Sequence, residues 1–214
     1  MTTSVSMREL LRRAPVLPLV VIETAADAVP LAEALVAGGL SVIEVALRTP
    51  AALEAIAAIA RAVPQAVVGA GTVRTAADLS ASAAAGAHFV VSPGATSVLL
   101  AAGSTQGVPA FLPGVATPAD VMRAAGFGYS TLKFFPAAAA GGVAMLDALA
   151  GPFPEVMFCP TGGIGLAEAP AYLSRANVLA VGGSWVAPPD LIAARDWNEI
   201  RHRAAAAASL VPSV

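Results

Sequence analysis

Ser41-Val42-Ile43-Glu44-Val45-Ala46-Leu47-Arg48-Thr49-Pro50 carries one complete passage from strand to helix. Its first six residues read as a short apolar strand, and a polar exit follows at Arg48. Thr49-Pro50 then places an N-cap residue before a first-turn proline, and an Ala-rich stretch of helical period continues over 50–62. One residue does not belong in an ordinary buried strand: Glu44 stands in its middle. Period-2 alternation puts Val42, Glu44 and Ala46 on one face and Ile43, Val45 and Leu47 on the other. The bulkier apolar set suits contact with covering helices, so Glu44 is left facing inward.

The same unit recurs along the chain. Strand candidates lie at 16–21, 41–46, 66–69, 89–92, 110–112, 131–134, 156–159 and 178–181. Helix candidates lie at 25–37, 50–62, 75–85, 97–102, 118–125, 142–149 and 167–173, with a final one over 191–208. Thr117-Pro118 repeats the helix-start signal, and Gly38-Gly39 marks a helix end. Strands without polar alternation, joined by helices, predict a parallel sheet covered on both faces. Eight such units in about 200 residues predict an α/β fold, a (β/α)8 TIM barrel, with an extra N-terminal helix at 7–13 covering the bottom. No linker or composition shift interrupts 1–214, which reads as a single domain. An open doubly wound sheet is the alternative, but no G-x-G-x-x-G follows the first strand.

Composition narrows the function. A net charge of −2 gives no sign of a nucleic-acid surface. A single cysteine, Cys159, excludes a disulfide framework, and the separated His88 and His202 predict no metal site. The mean hydropathy of +0.75 raises the membrane question. The uncharged stretch 79–119 is broken by Pro93, Gly94, Gly103, Pro109 and Pro113, and holds no apolar window of about 20 residues. Arg12-Arg13 before 16–22 mimics a signal sequence, but that run is short, contains Pro18 and meets Glu23. A soluble, cytoplasmic protein with no membrane partner is expected.

The rarest residue is the sharpest signal. Of 12 basic residues only Lys133 is a lysine, in Thr131-Leu132-Lys133-Phe134-Phe135. Alternation puts it inward with Thr131 and Phe135. Burial strips hydration from an ammonium and favours the neutral amine that Schiff-base chemistry requires. The bland readings are an ion pair between Glu44 and Arg48, and a lysine that merely pairs with Glu44 or a phosphate. Gly162-Gly163 and Gly182-Gly183-Ser184 follow the seventh and eighth strands, where such folds commonly hold phosphate on backbone N–H groups, although turns use glycine pairs too. Gly69-Ala70-Gly71-Thr72 and Ser92-Pro93-Gly94 leave room for a substrate. Cys159, His88 and His202 read as structural.

In order, these motifs resemble the class I 2-dehydro-3-deoxy-phosphogluconate/4-hydroxy-2-oxoglutarate aldolase family over about residues 10–201. The carrying text is Ile43-Glu44-Val45-Ala46-Leu47-Arg48-Thr49-Pro50, Val68-Gly69-Ala70-Gly71-Thr72, Val91-Ser92-Pro93-Gly94, Pro113-Gly114-Val115-Ala116-Thr117-Pro118, Leu132-Lys133-Phe134-Phe135-Pro136, Cys159-Pro160-Thr161-Gly162-Gly163-Ile164 and Val181-Gly182-Gly183-Ser184-Trp185. The resemblance implies that Lys133 forms the Schiff base and Glu44 is the general acid/base. It implies that Arg48 and Thr72 hold the pyruvate carboxylate, and that Pro93 and Phe135 wall the pocket. Thr161 matches a position that influences product stereochemistry, and Gly162, Gly163, Gly183 and Ser184 match the phosphate site. It further implies a homotrimer, no cofactor, and a phosphorylated 2-keto-3-deoxy sugar acid as substrate, with 4-hydroxy-2-oxoglutarate as a further one. The chain departs from the family's pattern at Ala138, where an acidic residue is common, and at Gly165, where Ser or Asn is usual. The alternatives are an aldolase for the galactonate epimer or for unphosphorylated acids, a phosphosugar isomerase or epimerase, and a non-catalytic phosphosugar-binding barrel.

Overall fold

Short side-chain caps set where several helices begin. Ser6, Thr75, Thr96 and Thr117 each accept a hydrogen bond from the backbone N–H three residues on, and at Ser6, Thr75 and Thr117 an acidic side chain reaches back to the cap. Thr117-Pro118 thus behaves as its sequence predicts. Thr49-Pro50 does not: the helix there starts at Ala52, and the Thr49 hydroxyl donates to the Ile22 carbonyl at 2.5 Å. That bond ties the exits of the first two strands together.

The computed structural model describes residues 6–105 and 107–211. Among the described residues the strands are β1 (Val16–Val20), β2 (Val42–Ala46), β3 (Val67–Gly71), β4 (Phe89–Val91), β5 (Ala110–Leu112), β6 (Gly114–Val115), β7 (Thr131–Phe134), β8 (Met157–Pro160) and β9 (Val181–Gly183). The helices are α1 (Met7–Leu11), α2 (Ala28–Ala37), α3 (Ala52–Ala62), α4 (Ala76–Ala84), α5 (Ser97–Gly103), α6 (Pro118–Gly126), α7 (Gly142–Ala150), α8 (Ala169–Leu173), α9 (Pro189–Ala194) and α10 (Trp197–Ala208). The helix expected at 25–37 opens with a separate 3-10 turn, Ala25–Asp27. The one expected at 191–208 breaks at Arg195, whose φ is +55°, and restarts on an Asp196 cap.

The expected closed eight-stranded barrel is corrected. The strands form a parallel six-stranded sheet in the order β5-β4-β3-β2-β1-β9 and a separate three-stranded sheet, β6-β7-β8. Pro113 accounts for one break. It has no N–H to donate, and the chain changes partners there: β5, the strand expected at 110–112, pairs with β4, whereas β6, which was not expected, pairs with β7. At the other junction β8 meets the β9 segment only through the isolated bridges Phe158↔Val178 and Thr161↔Gly182.

Both faces of the larger sheet are buried, as the unbroken apolar strands predict. Ile43, Val45, Val68 and Val90 pack with Leu31, Leu35, Ile56 and Ile59 of the helices. The opposite face supplies Leu17, Val42, Phe89, Val91 and Leu112 to a second apolar cluster, which Met157 and Cys159 of β8 in the smaller sheet join. Met7, Leu10 and Leu11 of α1 close that cluster, so the N-terminal helix has the covering role read from its position. Among the described residues no helix is long and apolar enough to cross a membrane.

Candidate active site

Glu44 on β2 and Lys133 on β7 come from different sheets and meet in the inner space. Leu132 and Phe134 point into the helix-facing core, which leaves Lys133 inward. Lys133 is 4% exposed and Glu44 is 0% exposed; Nζ lies 3.2 Å from Oε1. The alternative pairing of Glu44 with Arg48 is absent, and the pairing with Lys133 is the one formed. A buried pair of this kind contributes little net stability, because desolvation offsets most of the attraction. Two further features suit it to chemistry. Glu44 Oε2 is buried with no hydrogen-bond partner among the described residues, an unusual condition for a carboxylate oxygen. Nζ also lies 5.5 Å from the Phe135 ring centroid, within cation–π range.

The C-terminal strand ends shape a cavity of about 280 Å³, whose lining does not include Glu44 or Lys133 themselves. Its lining includes Arg48, Phe135, Thr161, Gly162, Gly163 and Ser184. Sequence reasoning therefore brings most of its predicted binding residues to one place. Thr72 joins them through Arg48, whose Nε donates to Thr72 Oγ1 at 3.2 Å. Pro93 instead lines a neighbouring cavity with Arg74, Arg123 and the other side of Phe135. Gly182 rather than Gly183 reaches the cavity that Arg48 lines. Leu19, Val21 and Pro189 also line it and were not singled out. The signal was available in the strand order, since a parallel arrangement that returns to β1 must place its exit beside the last strand.

The glycines need a different explanation from the one their spacing suggests. Gly162 and Gly163 have φ of +101° and +72°, in the left-handed region that favours glycine. A Cβ on Gly163 would lie 2.6 Å from Ala138 Cβ rather than projecting into the cavity, and one on Gly182 or Gly183 would strike Thr161 or Trp185. Backbone conformation requires glycine at 162 and 163, and crowding by protein atoms requires it at 163, 182 and 183. The two departures from the family pattern also find neighbours: Ala138 packs over Gly163, and Gly165 donates its N–H to Glu168 Oε2 at 2.9 Å.

Thr72 is strained. Its φ is +60°, which a β-branched residue adopts at a cost of about 1–3 kcal/mol. The conformation aims its hydroxyl at Arg48. Thr72→Gly should therefore stabilise the fold by about 1 kcal/mol, a rise of about 2–4 °C in Tm, while raising KM for pyruvate. Calorimetry beside steady-state kinetics checks both; a lower Tm would mean the strain is not real.

Cys159 is fully buried, and burial pushes its thiol up to about 12, which keeps it out of thiolate chemistry. His88 and His202 lie on the surface, away from the cavity, with His202 3.6 Å from Glu199. Among the described residues no three His, Cys, Asp or Glu side chains converge.

Comparison with known proteins gives a consistent picture. The family model for KDPG and KHG aldolases matches residues 7–203. A 2-dehydro-3-deoxy-phosphogluconate aldolase from Pseudoalteromonas atlantica is 51% identical over 196 residues, covering 92% of this chain and 91% of that protein. The structure of 2-keto-3-deoxy-6-phospho-gluconate aldolase from Zymomonas mobilis superposes with a TM-score of 0.93 at 48% identity, covering 97% and 98% of the two chains. A KDPG aldolase from Legionella pneumophila, with pyruvate captured at low pH as a covalent carbinolamine intermediate, gives 0.92 at 46% identity, covering 94% and 98%.

Proposed function

The chain belongs to the KDPG and KHG aldolase family, and from that membership and the site's geometry we propose how its residues divide the work. The activity is reversible aldol cleavage of 2-dehydro-3-deoxy-6-phospho-D-gluconate to pyruvate and D-glyceraldehyde 3-phosphate through a Schiff base. The observation that carries the assignment is the only lysine of the chain, buried 3.2 Å from a buried carboxylate.

Lys133 Nζ, as the neutral amine, adds to the C2 carbonyl, and loss of water leaves an iminium. Glu44 takes the proton of the C4 hydroxyl, directly or through one water, as the C3–C4 bond breaks. The bonding pair moves into the iminium, giving an enamine and releasing the aldehyde. Glu44 then returns its proton to C3, and hydrolysis frees pyruvate and the amine. The partnerless Oε2 of Glu44 supports this role, since it has an acceptor to offer. Arg48, oriented by Thr72, grips the carboxylate of the pyruvate moiety, and Phe135, 5.5 Å from Nζ at its ring centroid, forms part of the pocket wall.

We assign the phosphate to the turns around Gly162-Gly163 and Ser184, which leave neighbouring strand ends joined by the Thr161↔Gly182 bridge. Gly163→Val would displace the first turn through Ala138 instead of plugging the site. It should lower kcat/KM for the phosphorylated acid by about a hundredfold and leave the unphosphorylated acid nearly unchanged. Ser184→Ala should cost about 1–2 kcal/mol in binding. Pyruvate release is measured on both acids, on the galactonate epimer and on 4-hydroxy-2-oxoglutarate. A parent enzyme that fails on the phosphogluconate-derived acid but works on another overturns the substrate assignment. An anion seen at Arg74 or Arg123 in a soaked crystal overturns the phosphate site. The assembly we propose is a cytoplasmic homotrimer.

A further inference from the structure

The inner face of β3 carries two glycines with different neighbours. A Cβ built on Gly69 would lie 2.5 Å from the Phe89 ring, in the apolar floor. A Cβ built on Gly71 would fall on Glu44 Oε1, and lie 2.7 Å from its Cγ and 2.8 Å from its Cδ. Those three nearest atoms all belong to one side chain. The backbone of β2 pairs Glu44 with Gly69 and Ala46 with Gly71. The glutamate therefore leans one pleat toward the C-terminal rim, and its carboxylate comes to rest over Gly71. Lys133 reaches the same oxygen at 3.2 Å. Gly71 has no left-handed φ to explain its identity, so alanine would be acceptable there on conformational grounds. Space is what demands glycine.

We propose that Gly71 is a positioning residue for the proton-transfer group: the volume of its absent side chain is the slot that holds the Glu44 carboxylate against Lys133. The proposal rests on the reading that Glu44 carries the proton. A methyl at position 71 and the carboxylate cannot occupy the same place, and Glu44 is the mobile one of the two. It must swing away from Nζ, and from the point where the C4 hydroxyl or the enamine carbon would meet it. Alternating glycines on one strand thus serve different ends, Gly69 for the floor and Gly71 for the acid/base.

The test compares Gly71→Ala, Glu44→Gln and their double variant. Exchange of pyruvate methyl protons with D2O reads iminium formation followed by proton transfer, without carbon–carbon cleavage. Borohydride trapping of pyruvate reads iminium formation by itself, so the comparison isolates the proton step. Gly71→Ala should slow exchange by about a hundredfold, with KM for pyruvate within threefold and trapping intact at saturating pyruvate. In the Glu44→Gln background the same substitution should cost less than about threefold, because the group it displaces no longer moves protons. A folded Gly71→Ala enzyme that exchanges at the parental rate overturns the proposal, as does an equal loss in both backgrounds. If Glu44→Gln itself exchanges at the parental rate, the assignment of proton transfer falls, and the proposal with it. Thermal unfolding adds an independent reading. Glu44→Ala should recover most of the Tm lost in Gly71→Ala, since the methyl then enters vacated space. If the single variant does not fold, a folded Glu44→Ala/Gly71→Ala protein supports the slot, and failure of both overturns it.

Discussion

Lys133→Arg should abolish borohydride trapping of pyruvate and lower kcat/KM by about 10⁴-fold or more, while the protein still folds. The parent should gain one pyruvate-derived adduct per chain, and peptide mapping should place it at Lys133. The chain is unusually suited to this test, because it contains no second lysine to compete for the label. Arginine keeps the positive charge opposite Glu44 and so preserves the pair that occupies the buried space. What it cannot do is present a neutral amine, because a guanidinium stays protonated at any pH the protein survives. Charge and nucleophilicity are thereby separated in one substitution. An adduct at the N-terminal amine, or residual turnover within tenfold of the parent, would remove Lys133 from its role. A variant that fails to fold would be read instead through Lys133→Met, which fills similar volume but leaves Glu44 unpaired and is expected to be less stable.

The inward placement of Glu44 and Lys133 was legible in sequence for a simple reason. Apolar strands contain almost no polar residues, so Glu44 and Lys133 stood out, and alternation assigned each to a face. Alternation says nothing about which strand lies across the interior. That Glu44 pairs with Lys133, and not with Arg48 four residues on, is decided by how the two separate sheets bring β2 and β7 to the same inner space. The same limit explains the fold. Eight apolar runs announced a parallel arrangement, but whether its ends join in a continuous ladder depends on a few N–H groups. Pro113 withholds one of them, and the segment before β9 offers only single bridges to β8. Thr49 shows the point on a smaller scale. Its sequence context is that of a helix cap, yet the carbonyl of Ile22, distant in sequence, takes the hydroxyl instead. Glycine was the hardest to read. Spacing suggested approach by an anion at Gly163 and Gly183, whereas the crowding there comes from Ala138 and Trp185.

Glu44→Gln and Arg48→Ala should fail in opposite ways, and the contrast tests whether proton transfer and substrate grip are separate functions of the site. Glutamine keeps the shape that lies over Gly71 and keeps an oxygen for Nζ, but it cannot accept the C4 hydroxyl proton. The loss falls on the transition state, so kcat should drop by about 10²–10⁴ while KM stays within a few-fold. Arg48 stands at the exposed rim, with Nε committed to Thr72 Oγ1 at 3.2 Å. Among the described residues its terminal nitrogens have no protein partner, which leaves them for a carboxylate. On the proposed role, Arg48→Ala removes a charged, two-point contact made in ground state and transition state alike. KM for pyruvate-bearing substrates should therefore rise by about two to three orders of magnitude, with kcat changed only a few-fold. Thr72→Gly gives the intermediate case, because it loosens the guanidinium without removing it. Steady-state kinetics on the three variants decide the matter. If Glu44→Gln and Arg48→Ala change kcat and KM in the same proportion, the grip and the proton transfer cannot be assigned to separate residues.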